Sequence, residues 1–274
     1  MKKSKTLRLN FIKKHRNAFF RTGLIITGLV VFLVLLGLVW SPYDPTAMNG
    51  EEKLSGISLR HIMGTDNMGR DVFSRVLYGS RVTLLIATGT ILIGSFVGTL
   101  IGALTGYFGG LADDILMRIM DALFAFPSIL LALVFVSLFG TGTWQVMVSL
   151  GIAFVPSYSR IVRGEFLRCR DMDYVRSARL QGASDLRIIF LHILPNVKNV
   201  LISAILIGFN NAVLAEAGLS YLGIGSQPPH ASLGKMLSDA QQYMLSSPVY
   251  VLGPGLMIIL MVLGFSFLGE GVRE

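Results

Sequence analysis

Residues 160–195 read RIVRGEFLRCRDMDYVRSARLQGASDLRIIFLHILP, one polar stretch between apolar stretches that are each long enough to cross a bilayer. It carries Arg160, Arg163, Arg168, Arg170, Arg176, Arg179 and Arg187, yet its apolar residues are patterned. Tyr174, Val175 and Ala178 share one side of a helical turn, with Arg176 and Arg179 on another. Gly182 then interrupts with a backbone free to adopt positive φ. Ser184 is suited to cap a following helix, and Asp185 lies in the first turn, where the helix dipole favours negative charge. Leu186, Ile189, Phe190, Ile193 and Leu194 fit the i, i+3, i+4, i+7, i+8 template of an amphipathic helix. Pro195 either closes that helix or opens the next. The expected order is helix, glycine turn and amphipathic helix on the basic side of a membrane. Such a helix could rest on anionic lipid or dock into a protein groove.

Outward from this stretch, composition sets the class. Of 274 residues, 53% are hydrophobic and only 15% charged, with a mean hydropathy of +0.65. Soluble domains carry about 25% charged residues, so the chain is expected to be an all-α integral membrane protein embedded in the lipid bilayer. The net charge of +8 comes from basic residues clustered at span ends, and no basic face of a soluble fold suits nucleic acid. A single cysteine, Cys169, excludes an internal disulfide, and with four scattered histidines it gives no metal-ligand spacing. His15, His61 and His230 fall in polar segments and are expected to be solvated, while His192 caps or packs.

Six spans read at 22–40, 82–106, 115–139, 144–162, 197–217 and 249–268, each near the ~20 residues a membrane helix needs. Residues 1–21 hold eight Lys/Arg and no acid. Ser41-Pro42-Tyr43-Asp44-Pro45 stops the first span without a cleavage pattern, which makes that span an uncleaved anchor. Within the polar 41–80 segment, Val72, Phe73, Val76 and Leu77 form a stripe expected to lie at the interface, with Arg70, Ser74 and Arg75 off it. In the second span Gly94, Gly98, Gly102 and Gly106 recur every four residues, a face for close helix contact within the bundle or with a second subunit. Asp114, Arg118 and Asp121 are spaced to pair along one helix face, and Pro127, Pro156 and Pro254 are expected to kink their helices. Polar groups are costly in hydrocarbon. Ser203, Asn210, Asn211 and Glu216 of the fifth span, with Ile207 and Leu214, are therefore candidates for lining a translocation pathway or for interhelical hydrogen bonds. Placing the N-terminus in the cytoplasm assigns eighteen Lys/Arg to the inside and six to the outside, so both termini are expected to be cytoplasmic.

Motifs of chemistry are missing. Gly234-Lys235 has Pro229 where the leading glycine of a nucleotide-binding loop belongs, and Gly218–Gly223 is one residue too long for a nucleophile elbow. A secondary transporter would show interrupted spans matched between two halves, and no such repeat is evident. An intramembrane hydrolase would need a Ser–His pair within spans, and none of the histidines lies in one.

Four motifs in order carry a family resemblance. The stretch 174–195 resembles the cytoplasmic loop of bacterial ABC-importer permeases, whose pattern is E-A-A, three residues, G, nine residues, I-x-L-P. Ala178, Gly182, Leu194 and Pro195 match in register, whereas Arg176, Ser177 and His192 stand where the family has Glu, Ala and Ile. GTDNMGRDVFSRVLYGSR at 64–81, GYFGGLADDILMRIMDALFAFPSILLA at 106–132 and EAGLSYLGIGSQPPHASLGKML at 216–237 resemble the dipeptide/oligopeptide/nickel permeases, with Ser226 and Leu233 departing from the usual Val and Trp. The resemblance implies a type I ABC importer permease fold with six transmembrane helices in a bacterial or archaeal cell (inner) membrane. It implies 1–80 as tail, first span and extracytoplasmic segment, and 81–274 as a five-helix core with a coupling loop at 163–195. In that loop Tyr174, Ala178, Gly182, Ala183, Leu186, Ile189, Leu194 and Pro195 are implied to engage an ATPase groove. The implied partners are a second homologous permease, two ATPases that bind the ATP, and an extracytoplasmic substrate-binding protein. The implied cargo is short peptides, with nickel, metal–metallophore complexes or glutathione-like peptides as alternatives. The chain itself would be no enzyme and would need no cofactor. Isolated in detergent, it is expected neither to bind nor to hydrolyse ATP. Saturable nucleotide binding in equilibrium dialysis would overturn that.

Overall fold

The structure, a computed structural model, describes the backbone of residues 2–272 and side chains from residue 18 onward. The side chains of Lys2, Lys3, Lys5, Arg8, Lys13, Lys14, His15 and Arg16, and all of Arg273, figure in the charge and histidine expectations but lie outside the described residues. The helices in chain order are α1 (Lys2–Val39), α2 (Val72–Phe108), α3 (Gly110–Phe124), α4 (Ser128–Phe139), α5 (Thr143–Arg170), α6 (Asp173–Leu180), α7 (Asp185–Arg187), α8 (Leu194–Tyr221), α9 (Leu233–Ala240) and α10 (Pro248–Val272). Ala18–Val39, α2, α5, the continuous path Asp185–Tyr221 and α10 are each long and apolar enough to cross a membrane. The sixth expected span is not one helix. α3 and α4 meet at 96°. Pro127 supplies no N–H and drives the residue before it out of helical geometry; its own ψ is 130°, and the helix restarts only at Ser128. Pro156 and Pro254, by contrast, sit inside the continuous α5 and α10.

The interfacial stripe expected at 72–77 is instead the beginning of α2. Val72 and Val76 pack at Gly253 of α10, and Leu77 packs at Gly37 of α1. This burial is possible because the polar segment before α2 neutralises its own charges. Arg70 Nε donates to Asp66 Oδ2 at 2.6 Å, and Arg75 Nε lies 3.4 Å from the same oxygen, with all three side chains buried. Asp71 caps α2 by accepting from the Ser74 N–H at 2.7 Å. His61 is buried rather than solvated. Its ring nitrogens lie 2.8 Å from Asp71 and 3.3 Å from Glu52, and Tyr43 covers the ring at 4.7 Å. Its polar surroundings in sequence concealed two carboxylates that satisfy it.

The glycine face of α2 meets α5. A methyl group at Gly94 would lie 3.0 Å from Phe154 Cβ, one at Gly98 2.5 Å from Tyr158 Cβ, one at Gly102 2.5 Å from the Ser159 carbonyl oxygen and one at Gly106 2.7 Å from Phe166 Cβ. Without hydrophobic driving force between helices in lipid, such close approach and its dispersion contacts supply the association. A second small-residue contact joins α1 to α10, where methyl groups at Gly23, Gly264 and Gly271 would collide with Leu268, Thr27 and Phe20.

Ion pairs fasten α3 to α5. Asp113 takes a two-pronged contact from Arg163 at 2.6 and 2.7 Å. Asp121 lies 2.8 Å from Arg160, whose guanidinium also sits 4.4 Å over the Phe124 ring. Of the two acids expected to pair with Arg118 along α3, Asp121 thus reaches across to α5, and Asp113, which the spacing did not single out, does the same in place of Asp114.

Gly98→Leu and Gly102→Leu should each cost at least the ~1–3 kcal/mol of an overpacked core, since the obstructing atoms at Gly102 are backbone. Gly28→Leu is the control, because nothing lies within 4 Å of a methyl group there. The measurement is yield and thermal midpoint after detergent extraction. Equal stability of all three variants would show that the α2–α5 contact is dispensable.

Candidate functional site

The loop that opened the sequence reading is built from the end of α5 onward. α5 runs past the expected boundary at 162 to Arg170, and α6 follows after a two-residue turn. α6 ends in a Schellman motif: the Ala183 N–H donates to the Ala178 carbonyl at 3.1 Å and the Gly182 N–H to the Arg179 carbonyl at 3.0 Å. Gly182 takes φ +80°, with open space where a side chain would go. Ser184 then caps α7, its Oγ accepting from the Arg187 N–H at 3.4 Å.

Of the two roles expected for Pro195, the structure shows the second, in the first turn of α8. Residues 188–193 form a π-helical segment that hands directly to α8, and the Leu194 N–H reaches the Ile189 carbonyl. In a regular α-helix the Pro195 ring would press on the carbonyl four residues back, so the wider turn relieves the clash and keeps Asp185–Tyr221 unbroken. The same widening divides the expected stripe. Ile188, Ile189 and Ile193 turn inward onto Val162, Phe166, Cys169, Val175, Ala178 and Val197, and Leu194 is half-buried against them. Leu186 (66% exposed) and Phe190 point outward, together with Leu180 (89%) and Leu191 (64%), none of which the sequence pattern singled out as a group except the first two. A shallow hollow of about 690 Å³ lies beside them, lined by Tyr174, Ala178, Leu191, His192 and Asn196. Burial there, with the Cys169 thiol adjacent, pushes the Tyr174 phenol up to about 12, so it stays neutral.

The loop also grips the end of α2. Tyr107 Oη donates to Asp185 Oδ1 at 2.6 Å, and Arg179 Nη2 donates to Tyr107 Oη at 3.2 Å. Arg170 Nη1 reaches the Gly106 carbonyl at 3.4 Å.

Deeper in the bundle, α4, α5 and α8 enclose a cleft of about 500 Å³ whose lining carries no charge. Its polar groups are Ser128, Ser157, Tyr158 and Asn211, set among side chains such as Ile207 and Leu214. The fifth-span candidates therefore separate. Asn211 lines the cleft. Ser203, one turn from Ile207 on the same stripe, is half-buried outside it, and Asn210 has a buried Oδ1 with no partner among the described residues. Glu216 is fully buried on the far side of α8, accepting from Thr83 Oγ1 at 2.9 Å and Ser220 Oγ at 2.6 Å. Thr83 in turn accepts from the Leu233 N–H at 3.2 Å, so this carboxylate fastens α8 to α2 and to the start of α9. Sequence spacing could not distinguish these positions, because α8 has protein on several sides. Ser128 and Ser157 had no signal of their own; they follow the Pro127 break and precede Tyr158. Among the described residues, no three His, Cys, Asp or Glu side chains converge as metal ligands.

An uncharged cleft within a helical membrane bundle and a basic loop with outward apolar side chains are features expected of a membrane transport subunit. Residues 98–274 match the family described as binding-protein-dependent transport system inner membrane component, and the chain belongs to that family. It is 39% identical over 255 residues to the glutathione transport system permease protein GsiD of Pectobacterium atrosepticum, covering 91% of this chain and 85% of that protein. It is 37% identical over 263 residues to the dipeptide transport system permease protein DppC of Alkalihalophilus pseudofirmus, covering 96% and 86%. A chain of the methionine ABC transporter MetNI in an inward-facing conformation shares the fold, with a TM-score of 0.58 at 20% identity over 70% of this chain and 91% of that one.

Glu216→Ala would leave the Thr83 and Ser220 hydroxyls without their acceptor. It is expected to destabilise the protein by about 1–3 kcal/mol, seen as a lowered thermal midpoint in detergent, whereas Ser203→Ala leaves it in place. An unshifted Glu216→Ala midpoint would remove the fastening role.

Proposed function

We propose that this inner-membrane permease carries short peptides through the α4–α5–α8 cleft, with partner ATPases acting on the 163–195 loop. The observation that carries the peptide assignment is identity of 37–39% over more than nine-tenths of the chain to permeases named for dipeptide and glutathione transport. The cleft chemistry fits that cargo. Hydroxyl and amide groups from Ser128, Ser157, Tyr158 and Asn211 can exchange hydrogen bonds with a peptide backbone, and the uncharged lining favours neither sign of side chain over the other. Among the described residues the cleft stays open on one side, and a second permease supplies that wall in this reading.

The loop end faces the cytoplasm in the orientation that its arginines favour. There Leu180, Leu186, Phe190 and Leu191 offer an apolar surface for the ATPase groove, rimmed by Arg176, Arg179 and Arg187. Tyr174 and the rim of the hollow join that surface. Ala178 and Ile189 serve from behind, as part of the core that stiffens the loop, while Gly182 and Ala183 set its bend. ATP binding and hydrolysis belong to the partners, and the loop converts their closure into rocking of the spans. The extracytoplasmic binding protein delivers cargo at the opposite end, where the 41–71 segment and α9 lie.

Gly182→Val tests the loop's part. The site is open, so the substitution acts through φ alone, at about 1–3 kcal/mol. The variant is expected to reach the membrane at the wild-type level and to lose ATPase pull-down or peptide uptake by roughly tenfold. Uptake at the wild-type rate would show that the bend is not the coupling element.

A further inference from the structure

We infer that Tyr107 is the positioning residue through which the loop and helix α2 move together, by way of its hydrogen bond to Asp185. The inference rests on the reading that ATPases act on the loop. α5 and α8 flow into that loop along the chain and must follow it. α2 does not, since Tyr107 and Asp185 stand 78 residues apart. The glycine face at Gly102 and Gly106 and the Arg170 contact with the Gly106 carbonyl tie α2 to the end of α5. What joins α2 to the α6–α7 part of the loop is side-chain contact: Ala103 and Tyr107 against the apolar cluster, and the polar group of Tyr107, Arg179 and Asp185. Asp185 belongs to the segment that Gly182 aims and Ser184 caps, so a displacement of the loop reaches this carboxylate at once.

The other end of α2 carries the second half of the argument. Thr83 sits on the same unbroken helix, two dozen residues earlier, about 36 Å away along the axis. There it holds both Glu216 and the Leu233 N–H. α2 is thus a rod tied by Tyr107 to the loop and by Thr83 to the α8–α9 junction on the opposite face. Information on whether a binding protein has docked at that face can travel along it to the ATPases, and the coupling is reciprocal.

The test uses the assembled importer, with its ATPases and extracytoplasmic binding protein, in nanodiscs. Tyr107→Phe removes only the hydroxyl and keeps the ring under Arg179; Asp185→Asn and the double variant complete the cycle. The readouts are ATPase retention on pull-down, basal hydrolysis, and stimulation of hydrolysis by the binding protein as purified. A hydrogen bond to a carboxylate is strong enough to change an equilibrium about tenfold. The expected result is retained ATPases and basal rate in all three variants, with stimulation cut about tenfold and the double variant no worse than either single. A residue that merely stabilised the fold would lower retention and basal rate as well. Undiminished stimulation in Tyr107→Phe, or a double variant with the product of the two single losses, would overturn the inference. Failure of the wild-type chain to retain ATPases would instead overturn the docking reading, and this inference with it.

Discussion

Everything in this bundle depends on how closely α2 and α5 approach. In hydrocarbon an apolar side chain gains nothing by leaving lipid for protein, so two helices stay together only if their surfaces fit better than lipid fits either. Four glycines at 94, 98, 102 and 106 remove the side chains that would hold the backbones apart, and Phe154, Tyr158, Ser159 and Phe166 fill the space. Tyr158 belongs to both this contact and the cleft. Its Cβ rests at Gly98, while its hydroxyl reaches 3.4 Å from the Ala204 carbonyl on α8, at a place that Gly208 keeps open. The wall of the cleft is therefore positioned by the glycine contact behind it.

Polar groups follow a division of labour set by the same medium. Two deep groups find their partners inside the chain: the hydroxyls around Glu216, and the ion pairs of Asp66 with Arg70 and Arg75 under the beginning of α2. Pairs nearer the loop, Asp113–Arg163 and Asp121–Arg160, remain partly open to solvent, where replacing or rearranging them is cheap. Rigidity and adaptability thus sit at different depths.

The sequence made the class, five of the spans and the loop's outline legible, since each rests on a local pattern. Gly182 reads as a turn because its neighbours Ser184 and Asp185 begin a helix, and that is what the backbone does. Two of the misreadings involve partners far along the chain, and two are local. Nothing near His61 announces that Asp71 and Glu52 will enclose it, and nothing near Val72 announces α10. The stripe from Leu186 to Leu194 assumed 3.6 residues per turn, and the π segment ahead of Pro195 altered the phase so that Ile189 and Phe190 went opposite ways. Pro127 was read as a kink when its effect is nearly a right angle, because the local signal for a bend carries no amplitude. In the cleft, Asn211 was legible as a polar group inside a span, while Ser128 and Ser157 come from helices whose relative placement only the fold decides.

The contact between α1 and α10 bears on how the chain is made. Gly23 lies against the backbone of Leu268, and Thr27 lies against Gly264, so this face of α1 is covered only once α10, far later in the sequence, has been made. At ~5–20 residues per second, translation separates the two by tens of seconds. During that interval α1 has α2 beside it, with Leu77 at Gly37, while the face around Gly23 and Thr27 is covered by lipid. Lipid is a tolerable companion for that face, which is apolar apart from the Thr27 hydroxyl. That side of the bundle can therefore wait open without an exposed charge until α10 has inserted beside it.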